Sequence, residues 1–147
     1  MVHGNGKCLE TFAFLDEGSN LSLVEEGLIK ELGVTGTPQP LCLGWTGNMS
    51  RSESDSEVVD LMVSGANQLQ TCLKGSRTVK DLSLPGQSLN FSCLKDNYPH
   101  LKGLPVASYH NAVPRILIGV DNLHLTVPLR IKEGRMDEPK AAKIRLG

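Results

Sequence analysis

The chain has 147 residues, 39% of them apolar and 21% charged, with a formal net charge of −1. That length supports one domain with a real core and no help from metal or disulfide. The near-neutral balance gives no electrostatic footprint for nucleic acid or for an anionic membrane surface. No apolar run approaches the ~20 residues of a membrane span and no signal peptide is present, so the expectation is a soluble, intracellular, single-domain protein.

In chain order, Lys7 to Leu15 reads as a strand that runs into Asp16-Glu17-Gly18-Ser19. A carboxylate at the end of an apolar strand needs a turn to re-aim it, and Gly18 supplies one if it takes positive φ. Leu21 to Val24 alternates at period two and predicts a short strand. Glu25 to Leu32 places Leu28, Ile29 and Leu32 at helical spacing with acids in the first turn and Gly33 at the C-cap, which predicts a short helix. Pro38 and Pro40 bracket a turn before a strand over Leu41 to Leu43.

The segment Gly44 to Ser52 is polar and glycine-bearing and carries the sole tryptophan, Trp45. With a second strand at Val58 to Val63, it predicts a long β-hairpin whose tip is mobile. Glu53 to Glu57 reads as a solvated strand entry. From Lys74 to Ala107 the pattern weakens, and short strands at 82–84 and 89–93 fit best. Ile116 to Val120 is a continuous apolar run and predicts a buried strand; Leu123 to Val127 extends it as an edge strand limited by Pro128. Residues 134–147 lose periodicity and read as a polar tail or linker after a domain over 1–133. The whole is expected to be mostly β with one or two short helices.

The four cysteines, Cys8, Cys42, Cys72 and Cys93, form no Cys-x-x-Cys pair, so zinc and iron–sulfur sites fail on spacing. They read as reduced, buried small hydrophobes. His3, His100, His110 and His124 stand singly, so no metal and no cofactor is expected. Three Asn-x-Ser sequons, at Asn20, Asn48 and Asn90, read as chance without a secretory signal.

Asp16 carries the sharpest chemistry. Peptide cleavage by carboxylates uses two of them within ~3 Å sharing one proton, because like charges that close cannot both ionise. One member then stays acidic while the other activates water. Asp121 follows a glycine rather than preceding one, so this chain offers one such turn, and a dyad requires a symmetric homodimer with one Asp16 from each subunit. The pair would titrate as a unit. Ser19 is placed to reach back to the outer oxygen of Asp16. Taken alone, Asp-x-Gly-Ser is a weak signal and reads more simply as a polar turn after a strand.

Further residues sharpen the reading. Phe14-Leu15-Asp16-Glu17-Gly18-Ser19, Leu41-Cys42-Leu43-Gly44-Trp45-Thr46-Gly47-Asn48, Tyr98-Pro99-His100-Leu101, Ile116-Leu117-Ile118-Gly119-Val120-Asp121-Asn122 and Ala141-Ala142-Lys143-Ile144-Arg145-Leu146-Gly147 together resemble the aspartic peptidase domain of Pao/BEL-type retrotransposon polyproteins. The resemblance spans nearly the whole chain in order. It implies a retropepsin-like acid protease β-barrel and endopeptidase action on the element's own polyprotein in a cytoplasmic particle, with Asp16 as the catalytic residue. It also implies that the 44–52 segment is a flap, with Gly44, Trp45, Thr46, Gly47 and Asn48 against an extended peptide, and that Ile116 to Gly119 and Asp121 are structural. Trp45 reads equally as a subsite wall or a core aromatic.

Glu17 departs from the usual pattern, in which a Thr or Ser hydroxyl after the catalytic Asp locks the two subunits. A carboxylate cannot donate that bond, and two symmetry-related glutamates repel. Glu17 therefore points to solvent, is protonated, or pairs with a cation, and the dimer is expected to be weak or conditional. The alternative from a different class is an inert retropepsin-like module that dimerises or binds peptide without cleaving it.

Overall fold

A computed structural model describes residues 1–66 and 68–147. Its elements are β1 (Val2–Gly4), β2 (Lys7–Leu9), β3 (Phe12–Leu15), β4 (Leu23–Glu25), α1 (Glu26–Leu32), β5 (Thr37–Pro38), β6 (Leu41–Trp45), β7 (Met49–Glu53), β8 (Glu57–Val63) and β9 (Thr71–Val79). There follow β10 (Gln87–Leu89), α2 (Phe91–Asn97), β11 (Tyr109–Ala112), β12 (Pro114–Ile118), α3 (Leu123–Thr126), β13 (Arg130–Lys132) and β14 (Ala141–Lys143), with 3-10 turns at Pro99–Leu101 and Val120–Asn122. The expectation of a mostly β chain with few short helices holds, and the main sheet curls into a half-barrel.

That sheet runs β2-β1-β8-β9-β4-β12-β3, with β5 also on β8. β12 lies between β3, to which it is parallel, and β4, to which it is antiparallel, while β4 is parallel to β9. A strand from late in the chain is thus inserted between two early ones. One face carries the main core of Val24, Leu28, Leu32, Leu61, Leu73, Ile116, Ile118 and Leu125 with their neighbours. The other carries a smaller cluster of Leu23, Leu41, Val79 and Leu117.

Helix α1 forms as expected. Leu28, Ile29 and Leu32 are its buried face, and Gly33 caps it in the left-handed conformation at φ +71°, where a side chain would be strained. Arg115 of β12 fixes this helix to the sheet: Nη2 lies 2.8 Å from Glu31 Oε1, Nη1 donates to Glu31 Oε2 at 3.3 Å, and Nε lies 3.4 Å from Glu25 Oε2.

Several expectations are corrected. Lys7 to Leu15 is two strands, β2 pairing with β1 and β3 with β12. The strand that returns against β6 is β7, not the run at 58–63, which belongs to the main sheet as β8. The Glu53–Glu57 run is not a solvated entry. Glu53 is 5% exposed beside Arg51 and Ser56 is buried, because the β7–β8 corner folds onto β9. Residues 71–79 form the longest strand, 82–84 are irregular, and the 89–93 run splits between the end of β10 and α2, capped by the Asn90 side chain on Cys93 N–H. Leu123 to Thr126 is a helical turn. The expected tail contains β14, paired with β13, and Leu146 packs on the main core. The cysteines are free, but Cys8, Cys42 and Cys93 are exposed and Cys72 is partly so.

Hydrogen bonding from Arg115 holds the Glu31 carboxyl below the ordinary glutamate range, and the bond to Glu31 raises Arg115 in turn. A carboxyl depressed in the folded state stabilises it above the unfolded value, and that contribution is lost as pH falls through the lowered one. In Arg115→Ala, Glu31 should titrate back toward its ordinary range and the acid limb of stability should flatten. Carboxyl-carbon NMR titration and acid unfolding of the two proteins measure both.

Candidate active site

Asp16 is the first residue past β3, and the backbone fixes it. Its N–H donates to the Ile118 carbonyl at 3.0 Å, which extends the β3–β12 ladder by one bond. Its carbonyl accepts from Ser19 N–H at 3.2 Å and closes a tight turn. Val120 N–H donates to the Ser19 carbonyl at 2.9 Å, so both ends of the turn are stitched to the segment around β12. Gly18 N–H donates to Asp16 Oδ1 at 2.9 Å. Such a charge-assisted bond orients the carboxylate. Among the described residues nothing bonds Oδ2.

Gly18 does not take the positive φ expected of it. Its role is proximity: a Cβ there would lie 3.1 Å from Asp16 Oδ1. Ser19 is corrected as well. Its hydroxyl donates to the Leu21 carbonyl at 2.8 Å and so stiffens the turn instead of reaching the Asp16 carboxylate. Glu17 is exposed, with no ion pair or side-chain hydrogen bond among the described residues. Asp16 and Glu17 line a cavity of about 150 Å³ together with Gly119, Val120, Leu123 and Thr126.

Beneath the turn lies a buried polar network. The Ser22 side chain is fully buried. Its Oγ donates to Asp121 Oδ1 at 2.6 Å and accepts from Gly119 N–H and Asn122 Nδ2, each at 3.1 Å. Its N–H donates to Asp121 Oδ2 at 2.9 Å. Asn122, 1% exposed, continues to β9, donating to the Lys74 carbonyl and accepting from Lys74 N–H, each at 2.9 Å. Asp121 thus holds a structural position, and this network joins β4, β9 and the turn after β12. Gly119 is required by crowding: a Cβ would sit 2.6 Å from the Leu21 carbonyl oxygen and 2.7 Å from that of Ser19. Sequence reasoning missed Ser22, since a lone serine between leucines carries no local signal, and missed the reach of Asn122 to β9.

The β6–β7 hairpin stands apart from the main sheet. Thr46, Gly47 and Asn48 make its tip, with Gly47 and Asn48 at φ +82° and +58°. Leu41 and Leu43 at its base pack with Leu23 of β4 and Leu117 of β12, the strands nearest the Asp16 turn. Gly44 and the tip residues are exposed. Trp45 is not a core aromatic; it is 53% exposed, with the Arg51 guanidinium carbon 5.9 Å from its ring centroid. Arg51 also donates to the Asp81 carbonyl at 2.8 Å, and its Nε lies 2.9 Å from Glu53 Oε1, off the N–H axis. No hydrogen bond or ion pair joins hairpin tip and Asp16 turn among the described residues.

Two other concavities carry less chemistry. A cleft of about 430 Å³ between α1 and the β7–β8 corner holds Glu26, Lys30, Asp55, Glu57 and Lys80. Its charges answer one another, with Lys30 2.8 Å from Glu26, Lys80 3.9 Å from Asp55, and Glu57 accepting from Gly36 N–H at 2.8 Å. Between β10 and β11, Ser88 Oγ lies 3.3 Å from His110 Nδ1. That oxygen already accepts from Asn111 N–H at 2.9 Å, and no carboxylate orients His110 among the described residues.

Compared with family models, with curated proteins and with solved structures, the chain finds no match in any of the three. Among the described residues no helix is long and apolar enough to cross a membrane.

Removing the Ser22 hydroxyl would leave Gly119 N–H, and one N–H of the Asn122 amide whose other bond to the Lys74 carbonyl remains, buried without an acceptor, at about 1–3 kcal/mol for each orphaned donor. Ser22→Ala should therefore lower urea stability by a few kcal/mol, whereas Ser19→Ala, on the half-exposed turn, should cost less than Ser22→Ala. Equilibrium unfolding of the two variants tests the ranking.

Proposed function

We propose that this chain is one half of a retropepsin-like aspartic endopeptidase of the Pao/BEL retroelement type, acting as a homodimer on extended segments of a polyprotein. The observation that carries the reading is the Asp16 carboxylate. One of its oxygens is held by Gly18 N–H, the other is unbonded, and the turn is braced against β12 over a small cavity. Fixed orientation with one free oxygen is what a carboxylate needs to share a proton with a twin and to bind a water between them.

In that assembly the two Asp16 side chains meet across a two-fold axis. One carboxylate takes a proton from the shared water as it attacks the peptide carbonyl, and the other, protonated, hydrogen-bonds the carbonyl oxygen as negative charge develops there. Proton return to the amide nitrogen then lets the C–N bond break. The β6–β7 hairpin has the form to lie over an extended substrate, with Trp45 and its Arg51 neighbour at the rim. Exposed Glu17 supports the idea that the dimer is weak, because it offers no cross-subunit donor and sets two negative charges near the axis.

A mixed peptide library, incubated from acid to neutral pH at rising protein concentration beside Asp16→Asn, tests the reading. Cuts should disappear in the variant and grow faster than linearly with concentration in the parent. Folded parent protein that makes no cuts would overturn the peptidase reading in favour of an inert peptide-binding module. Glu17→Thr should tighten the dimer in sedimentation equilibrium; a dimer equally strong with either residue would remove Glu17 as the cause of weakness.

A further inference from the structure

The main sheet ends on β2 at one side and on β3 at the other, and the two edges differ in kind. β2 is three residues long and carries Lys7, whose Nζ donates to the Glu31 carbonyl at 2.7 Å. A short strand bearing a lysine resists pairing with a foreign strand. The β3 edge has no such protection. Phe12, Ala13, Phe14 and Leu15 include no charge and no proline, and the one register shift in this pair lies on β12. All four residues are exposed, with Phe12, Phe14 and Leu15 at 44%, 37% and 44%.

Backbone alternation determines what this edge offers. Asp16 N–H donates to the Ile118 carbonyl, so Phe14 and Phe12, two and four residues earlier, also turn their main-chain groups toward β12. Ala13 and Leu15 turn theirs the other way, where the sheet has no further strand. Two N–H and two C=O groups therefore stand in a row without a ladder partner. The Phe12 ring, tilted against Tyr109 with centroids 5.3 Å apart, gives the start of the row an aromatic backing. Charge limits what can fill the edge. Exposed Glu10 lies two residues before β3, and Asp16 and exposed Glu17 follow it directly.

We propose that the free edge of β3 takes up an extended segment of another polypeptide as an added antiparallel strand, an apolar run flanked at both ends by lysine or arginine. Main-chain bonds to Ala13 and Leu15 supply the affinity, and alternate side chains of the added strand lie beside Phe12 and Phe14 on one face. The basic flanks meet Glu10 at one end and Asp16 with Glu17 at the other. A second copy of β3 fits poorly here. Antiparallel pairing of the strand with itself would bring Glu10 of one copy toward Asp16 and Glu17 of the other, and like charges across a ladder destabilise it. The inference stands apart from the peptidase reading, since it concerns main-chain pairing at a sheet edge and needs no reaction at Asp16.

The probe is a blocked peptide of alternating valine and threonine with two lysines at each end, labelled for fluorescence anisotropy. Hydrogen exchange on the wild-type chain locates it: the amides of Ala13 and Leu15 should slow when the peptide is added. Two further versions carry N-methyl groups on alternate amides, one in each frame. The frame that faces β3 should bind about tenfold more weakly, because its donors are gone while its side chains remain. Glutamate in place of the lysines should also cost about tenfold at low salt, a difference that shrinks as salt is added. Ala13→Pro, which removes one outward donor at a position where an edge strand tolerates proline, should weaken binding to a similar degree. A peptide that does not bind, or that binds equally in both methylated frames, would overturn the inference. So would protection at 41–53 in place of 13 and 15, which puts the peptide against the hairpin. Protection at 13 and 15 that rises with protein concentration and no peptide would make a second copy the occupant and overturn it as well.

Discussion

The Ser22 hydroxyl is the constraint on which the candidate site depends. It is buried, it donates once and accepts twice, and its partners come from the turn after β12. A buried hydroxyl in low dielectric is costly when unpaired and strongly position-setting when fully paired. With Asn122 continuing the network to Lys74, three strands from separate parts of the chain are held at fixed spacing. The Asp16 turn lies on that base. Its carboxylate is positioned by backbone bonds to residues whose own places the network determines.

This explains why two short motifs about a hundred residues apart belong together. The 116–122 stretch supplies a ladder partner for β3, a glycine that admits close approach of two carbonyls, an aspartate for Ser22 and an asparagine for β9. Replacing any one of these leaves the others less well satisfied, so the effects of substitutions here should couple instead of adding. The catalytic chemistry proposed above would then draw its precision from a network that never touches substrate.

Much of the architecture was legible locally. Leu28, Ile29, Leu32 and Gly33 specify α1 by spacing and cap, and the apolar run at 116–118 specifies a buried strand. The strand β9 was not legible, because Lys74, Gly75, Ser76, Arg77 and Thr78 read as surface. Its central place is made tolerable from afar, by Gln39 and Pro40 carbonyls on Arg77 and by Glu57 N–H on Thr78. Leu123 and Leu125 alternate as in a strand, yet the turn at Val120–Asn122 starts a helix that buries Leu125 in the core. At the site, the position of Asp16 was readable from Asp-x-Gly-Ser, whereas the partners of Ser19 and Ser22 were not. The Ser19 hydroxyl turns to the Leu21 carbonyl two residues on, a choice set by the shape of the turn, whereas the partners of Ser22 are brought near from about a hundred residues away.

The sole tryptophan lies on the β6–β7 hairpin, half exposed and beside a guanidinium, far from the main core in packing terms. Its emission therefore reports one hairpin and not the domain. Red shifts or quenching on adding a peptide would follow the local surroundings of Trp45, and a denaturation curve recorded through it could move while the sheet remains intact. The chain thus carries an intrinsic optical probe on the hairpin proposed to lie over a bound peptide, and global stability has to be read by another signal.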